Sequence, residues 1–245
     1  MTDEVEAFAR ERRENIAKMG KSSALRDQSI AWIKDTAPFK YSYNFTWLGR
    51  PIIQFPQDMV AIQELIWTVR PRYILETGIA HGGSLIFHAS ILELLGGQGD
   101  VVGIDIDIRS HNRQAIEAHP MSRRIKMIQG SSIDAATVAR AEAIIGEAQP
   151  VMVILDSNHT HDHVLAELRA YSKFVKPGSY LIVLDTVIED MPADMFADRP
   201  WGKGNNPRSA VQAFLKENSR FVVDAGVDAK LLISVGLGGY LKCIA

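Results

Sequence analysis

The ten residues Leu155–Val164, LDSNHTHDHV, hold two aspartates and three histidines directly after the apolar run Val151–Leu155. Carboxylates and imidazoles at this density hold a divalent metal or move protons, unless they merely form the polar mouth of a helix. The two uses demand different geometry. Metal ligands must converge on one point, whereas a general base needs only one imidazole facing the reacting group. Asp156 closes the apolar run and His159 follows three residues later. If Asp162 opens a helix, His159 stays at the strand end while His163 points along the helix. The three histidines then cannot share one ion.

HTHDH is also one residue shorter than the H-x-H-x-D-H run of binuclear zinc hydrolases. His159 is therefore the candidate base. His161 and His163 are expected to face solvent or cap the helix, with Asp162 favoured at its N-terminus by the dipole.

The elements that must position these groups are legible as alternating runs. YILETG (73–78), VVGIDID (101–107), RIKMIQG (124–130), VMVILDS (151–157) and YLIVLDT (180–186) are nearly continuous in apolar character, as parallel strands covered on both faces should be. Residues 84–95, 112–118, 133–148 and 162–174 read as helices between them, and 207–218 as a last helix with proline in its first turn. FVVDAG, KLLISVG and GYLKCIA then read as closing strands, at least two of them antiparallel. The expected fold is α/β: a Rossmann-like, doubly wound, mostly parallel seven-stranded sheet.

Such sheets bind ligands beyond the carboxyl ends of their strands, where strand order reverses. Four of the five parallel strand candidates end there in an acid: Glu76, Asp105, Asp156 and Asp185. The first runs into ETGIAHGGS, where Gly78, Gly82 and Gly83 allow close backbone approach and Ser84 opens a helix. The spacing is not G-x-G-x-x-G, which argues against a dinucleotide. Glu76 suits a ligand with an ammonium group, Asp105 the two ribose hydroxyls, and Ser131 and Ser132 the edge of an adenine. Asp156 would border the same ligand. A nucleoside carrying an amino acid in place of a pyrophosphate is S-adenosylmethionine. An NAD-dependent oxidoreductase and a non-catalytic binding module remain as alternatives, as does other chemistry of the sulfonium.

The 245 residues, 47% hydrophobic with net charge −2, fit one globular domain and offer nothing to nucleic acid or an anionic membrane. No apolar run approaches the roughly 20 residues that span a bilayer. The charged N-terminus lacks a signal-peptide core, and a single cysteine, Cys243, reads as packing in a reducing cytoplasm. Residues 1–57 read as a helical N-terminal extension or flap and 58–245 as the catalytic domain. The apolar stretch Tyr41–Phe55 suggests a contact in a homo-oligomer. The Pro-, Gly- and Asp-rich segment 189–206 reads as a lid, with Met195, Phe196, Trp201 and Lys203 over the acceptor.

The stretch WLGRPIIQFPQDMVAIQELIWTVRPRYILETGIAHGGS, then VVGIDIDIR, GSSID, LDSNHTHDHVLAELRAYSKFVKPGSYLIVLDT and the closing AVQAFLKEN…GGYLKCIA, resembles the cephalosporin hydroxylase-like and rhamnosyl O-methyltransferase family. The resemblance runs from about Trp47 to the C-terminus. It implies the class I methyltransferase fold, S-adenosylmethionine as donor, a Mg²⁺ site, and a hydroxyl of a sugar or natural-product small molecule as acceptor. It also implies metal ligands at Asp156 and at an acidic pair falling on Leu184 and Asp185, with His159 as base. Leu184 departs from the family's glutamate and cannot bind a metal. Glu189 or Asp190 is the expected substitute.

Overall fold

Two helices, α1 (Asp3–Gly20) and α2 (Ser23–Thr36), begin the computed structural model, which describes residues 3–245. Ser22 caps α2 by accepting a hydrogen bond from the Leu25 backbone N–H at 3.3 Å. A short hairpin follows, β1 (Phe45–Trp47) and β2 (Arg50–Ile52), turned through Leu48 and Gly49, both at positive φ. It is pinned to the main sheet's first covering helix by the Trp47 indole, which donates to Ser90 Oγ at 2.9 Å.

After α3 (Pro56–Val69) the chain alternates: β3 (Tyr73–Thr77), α4 (Gly83–Leu94), β4 (Asp100–Asp105), α5 (Ser110–Glu117), β5 (Ile125–Gln129), α6 (Ala135–Ile145), β6 (Val151–Leu155), α7 (His161–Tyr171) and β7 (Tyr180–Val183). It closes with α8 (Pro207–Glu217), β8 (Phe221–Val223), α9 (Ala225–Leu231) and β9 (Tyr240–Cys243). The seven-stranded sheet has the order β5-β4-β3-β6-β7-β9-β8. β3 to β7 are parallel, and β9 runs antiparallel to both its neighbours.

The apolar runs explain why the sheet sits where it does. In β6, Met152 and Ile154 enter one apolar core, while Val151, Val153 and Leu155 enter the other on the opposite face. β3 and β6 are buried at every position. Strand order reverses between them, so a crevice must open at their carboxyl ends.

One expected strand is absent. In KLLISVG, Lys230 and Leu231 finish α9, Leu232 turns at φ 56°, and residues 233–236 form a loop. The apolar run is real but local: Leu231 packs in the core beneath the sheet, and Ser234 and Val235 are held by Asp58 on α3. Asp58 is fully buried and accepts hydrogen bonds from Ser234 Oγ at 2.5 Å, Tyr240 Oη at 2.8 Å and the Val235 N–H at 3.0 Å.

Burial pushes Asp58 up to about 6 from 3.8, against those three bonds. The folded chain thus holds the proton more tightly than the unfolded one. The stability this brings is complete below about pH 4 and lost as pH rises through 6, roughly 3 kcal/mol in all. Asp58→Asn should remove that slope. Urea midpoints from pH 4 to 7 check it, and a wild-type-minus-variant difference that stays flat refutes it.

Candidate functional site

At the tip of β3 the chain turns sharply through Gly78, at φ 92°. A Cβ there would lie 2.1 Å from the Asp156 carbonyl oxygen, so the tips of β3 and β6 are in contact because residue 78 has no side chain. Gly83 plays the same part for the hairpin: a Cβ would meet the Pro51 carbonyl oxygen at 2.1 Å. The loop between them is propped from β4. Asp105 accepts from the Ile79 N–H at 2.8 Å and the Ala80 N–H at 3.3 Å, and its other oxygen accepts from Asp107 N–H at 3.0 Å.

Glu76 is 1% exposed. It accepts from Ser84 Oγ at 2.5 Å, and His88 Nε2 lies 2.9 Å from its second oxygen but off the line of a hydrogen bond. Glu76 and Ser84 therefore face each other at the wall of the crevice.

Three cavities meet here. The central one, about 290 Å³, is bordered by Glu76, Gly78, Gly82, Ser84, Asp105, Asp156, His159 and Asp185. A smaller one, about 140 Å³, shares Gly78 and Asp105 with it and adds Ile106, Ser131, Ser132 and His163. The third, about 250 Å³, shares His159 and Asp185 and is otherwise walled mostly by apolar and aromatic residues of the N-terminal segment and of residues 187–201, with Lys40 and Arg199 among them. All of the sequence-expected site residues border the central or the small cavity.

Asp156, His159 and Asp185 stand at the junction of the central and apolar cavities, with one ligating atom from each within 4.8 Å of the others. His159 Nε2 is 3.3 Å from Asp185 Oδ2, and the Trp201 ring meets the imidazole edge-on at 4.8 Å. Asp185 adopts φ 55°, a left-handed conformation that aspartate tolerates better than most residues. The Asp156 carboxyl is driven well above the usual carboxylate range, first by enclosure and then by the negative charges of Asp185, Glu76 and Glu167. Acids crowded without a cationic side chain are the donor set that hard divalent cations occupy.

Several expectations need correcting. His163 neither faces solvent nor caps a helix. It borders the small cavity, with Nε2 3.0 Å from Ser132 Oγ and 3.3 Å from Ser157 Oγ. His161 is half-buried: its N–H donates to Asn205 Oδ1 at 2.9 Å, and its ring meets Ser209 Oγ at 2.8 Å. Glu189 and Asp190 do not join the acidic cluster. Glu189 accepts from the Gly204 N–H at 2.8 Å and Asn206 Nδ2 at 2.5 Å, and Asp190 pairs with Arg208 at 2.8 Å. Lys203 is exposed and borders none of the three cavities. The sequence reading missed these tethers, although asparagine three residues before Ser209, at a proline-started helix, is a capping signal.

Leu184 is 2% exposed and belongs to the core while bordering the central cavity. Leu184→Glu would add a carboxylate beside Asp156 and Asp185. We expect its melting temperature to fall several degrees in EDTA and to recover with millimolar Mn²⁺ or Mg²⁺. Equal loss with and without the cation would show that position 184 does not reach the acidic pair.

The sheet and its covering helices superpose on known folds. A CmcI structure with Mg and SAM aligns with TM-score 0.57 at 22% identity, over 83% of this chain and 78% of that one. An O-methyltransferase from Bacillus cereus in complex with SAH aligns with TM-score 0.54 at 17% identity, over 91% and 92%. At those identities the likeness concerns the fold. Rhamnosyl O-methyltransferases of Mycobacterium tuberculosis (strain ATCC 25618 / H37Rv) and Mycobacterium leprae (strain TN) are each 28% identical over 176 residues, 70% of this chain. The match spans 66% of the first relative's length and 71% of the second's. Residues 39–244, which take in the hairpin, the whole seven-stranded sheet and the acidic junction of the central and apolar cavities, match the family model rhamnosyl O-methyltransferase/CmcI, and the chain belongs to that family.

Proposed function

We propose that the protein is an S-adenosylmethionine-dependent O-methyltransferase, acting with a divalent cation on a hydroxyl of a sugar or natural-product small molecule. The observation that carries this is the placement of Asp156, His159 and Asp185 where a nucleoside-sized crevice opens into an apolar chamber. Family membership and the names of the rhamnosyl O-methyltransferase relatives support the same reading.

The residues fit the donor. The small cavity offers Ile106, 71% exposed, as an apolar face, with the hydroxyls of Ser131 and Ser132 along an edge, which suits a purine. Asp105 stands where the small and central cavities join, in place for ribose hydroxyls. Glu76 and Ser84, with Gly78 and Gly82, would hold the amino-acid end. The acidic pair Asp156 and Asp185 fits a Mg²⁺ ion that keeps several waters, and is one carboxylate short of the ligand set the family resemblance implies.

When bound, the donor supplies a methyl on a sulfonium and the cation lowers the pKa of the acceptor hydroxyl. The chain's own part is alignment and proton removal. The His159 imidazole would take the hydroxyl proton, and the Asp185 carboxylate, 3.3 Å from its Nε2, would offset the positive charge that forms on the ring. Trp201 restricts the same ring from its edge and, with the apolar chamber, excludes water. Segment 189–206 serves as the lid over that chamber. Buried Cys243 is in keeping with a reducing cytoplasm, and exposed Tyr43 and Leu48 would mark the subunit contact of a homo-oligomer.

Calorimetry with S-adenosylhomocysteine and with NAD, each with and without Mg²⁺, tests the reading. Micromolar binding of the former and none of the latter is expected. Binding of NAD alone would replace the methyltransferase by an oxidoreductase.

A further inference from the structure

The apolar chamber carries two cations that the chemistry at its mouth does not use. Lys40, from the N-terminal segment, and Arg199, from segment 189–206, both border it. Among the described residues neither forms an ion pair, and the one acid on the chamber wall is Asp185, which lies against His159. Arg199 sits 5.5 Å over the Trp201 ring, whose edge contact is His159, so the guanidinium is set off from the reacting end by an indole. The remaining wall is mostly apolar and aromatic, with Tyr41, Phe55 and Phe196 among its residues beside Thr36 and Ser42.

Both cations are exposed to solvent at the chamber rim, so a neutral acceptor would leave them hydrated and unused, whereas an anionic one would meet both. From this we propose that the acceptor has a ring with an apolar face and a separate anionic substituent, carboxylate, sulfate or phosphate, that Lys40 and Arg199 bind together. The inference rests on the methyltransferase reading for the identity of the chamber. It adds that charge selects the substrate. Because the two cations come from different segments, a shared anion also draws the N-terminal segment and the lid together over the ligand. The aromatic wall contributes by ring contact.

Two fluorescent probes separate these contributions: 1-anilinonaphthalene-8-sulfonate, an anionic ring system, and N-phenyl-1-naphthylamine, its neutral counterpart. Titrated into the full chain, Lys40→Glu/Arg199→Glu is expected to weaken the sulfonate probe about tenfold or more, and to leave the neutral one within about twofold. Trp201→Ala is expected to weaken both. Equal weakening of both probes by the charge reversal, or indifference of the sulfonate probe to either variant, overturns the proposal. S-adenosylhomocysteine calorimetry on the same proteins reads the donor site independently. Donor binding without charge selection sinks only this inference, whereas absent donor binding sinks the methyltransferase reading beneath it.

Discussion

Replacing His159 with alanine is expected to lower kcat by about 10²- to 10⁴-fold while S-adenosylhomocysteine affinity stays within about twofold. The magnitude is what a positioned proton acceptor contributes to a transition state. The selectivity follows from geometry. His159 borders the central and apolar cavities but not the small one, where Ser131 and Ser132 lie. Removing the imidazole therefore leaves the nucleoside's contacts in place. A residue that merely propped Asp185 would behave differently, because losing it would loosen the junction and weaken donor and turnover together. Steady-state rates with an acceptor that the wild type methylates, paired with donor calorimetry, distinguish the two. Parallel loss would make His159 a packing residue.

Gly78→Ala should be among the most damaging small changes in the chain. A methyl group at this position would stand 2.1 Å from a backbone oxygen, and the backbone is already at φ 92°. Neither partner can yield, since Asp156 N–H is bonded to Thr77 O at 2.9 Å across the same strand pair. Left-handed strain alone costs about 1 kcal/mol, and forced separation of packed backbone adds about 1–3 kcal/mol. Gly96 offers the control, with φ 71° and nothing within 4 Å of a built Cβ. Chemical denaturation should thus show Gly78→Ala losing several times what Gly96→Ala loses. Donor affinity should also fall at least tenfold in the first variant alone, because Asp156 moves with its carbonyl. Similar losses for the two would mean that the strand tips can part freely.

The inner strands of the parallel sheet were legible because burial on both faces favours a near-continuous apolar run, and Ile74, Leu75, Val153 and Ile154 show the result. The acids at their ends were legible for the complementary reason: a carboxylate directly after such a run has nowhere to go but the crevice. Elements held by distant partners were not. KLLISVG has a strand's composition, yet Asp58, far earlier in the chain, decides its conformation by binding Ser234 and Val235. His163 was assigned by helix geometry alone, which is silent about Ser132 approaching from another strand's end. Glu189 and Asp190 were placed near the cation by their charge. The tethers that claim them, Gly204, Asn206 and Arg208, arise from a loop closing on its own start.

That closure has a consequence for how the protein could change. Glu189 ties Gly204 and Asn206 to the foot of the segment, so residues 190–203 leave and rejoin the scaffold at one place. The stretch between can be exchanged as a cassette provided that Trp201, against the imidazole, and Gly202, whose carbonyl holds the capping Asn206, are kept. Grafting it between family members would transfer preference for one hydroxyl compound over another, while proton abstraction and donor capture stay with the recipient.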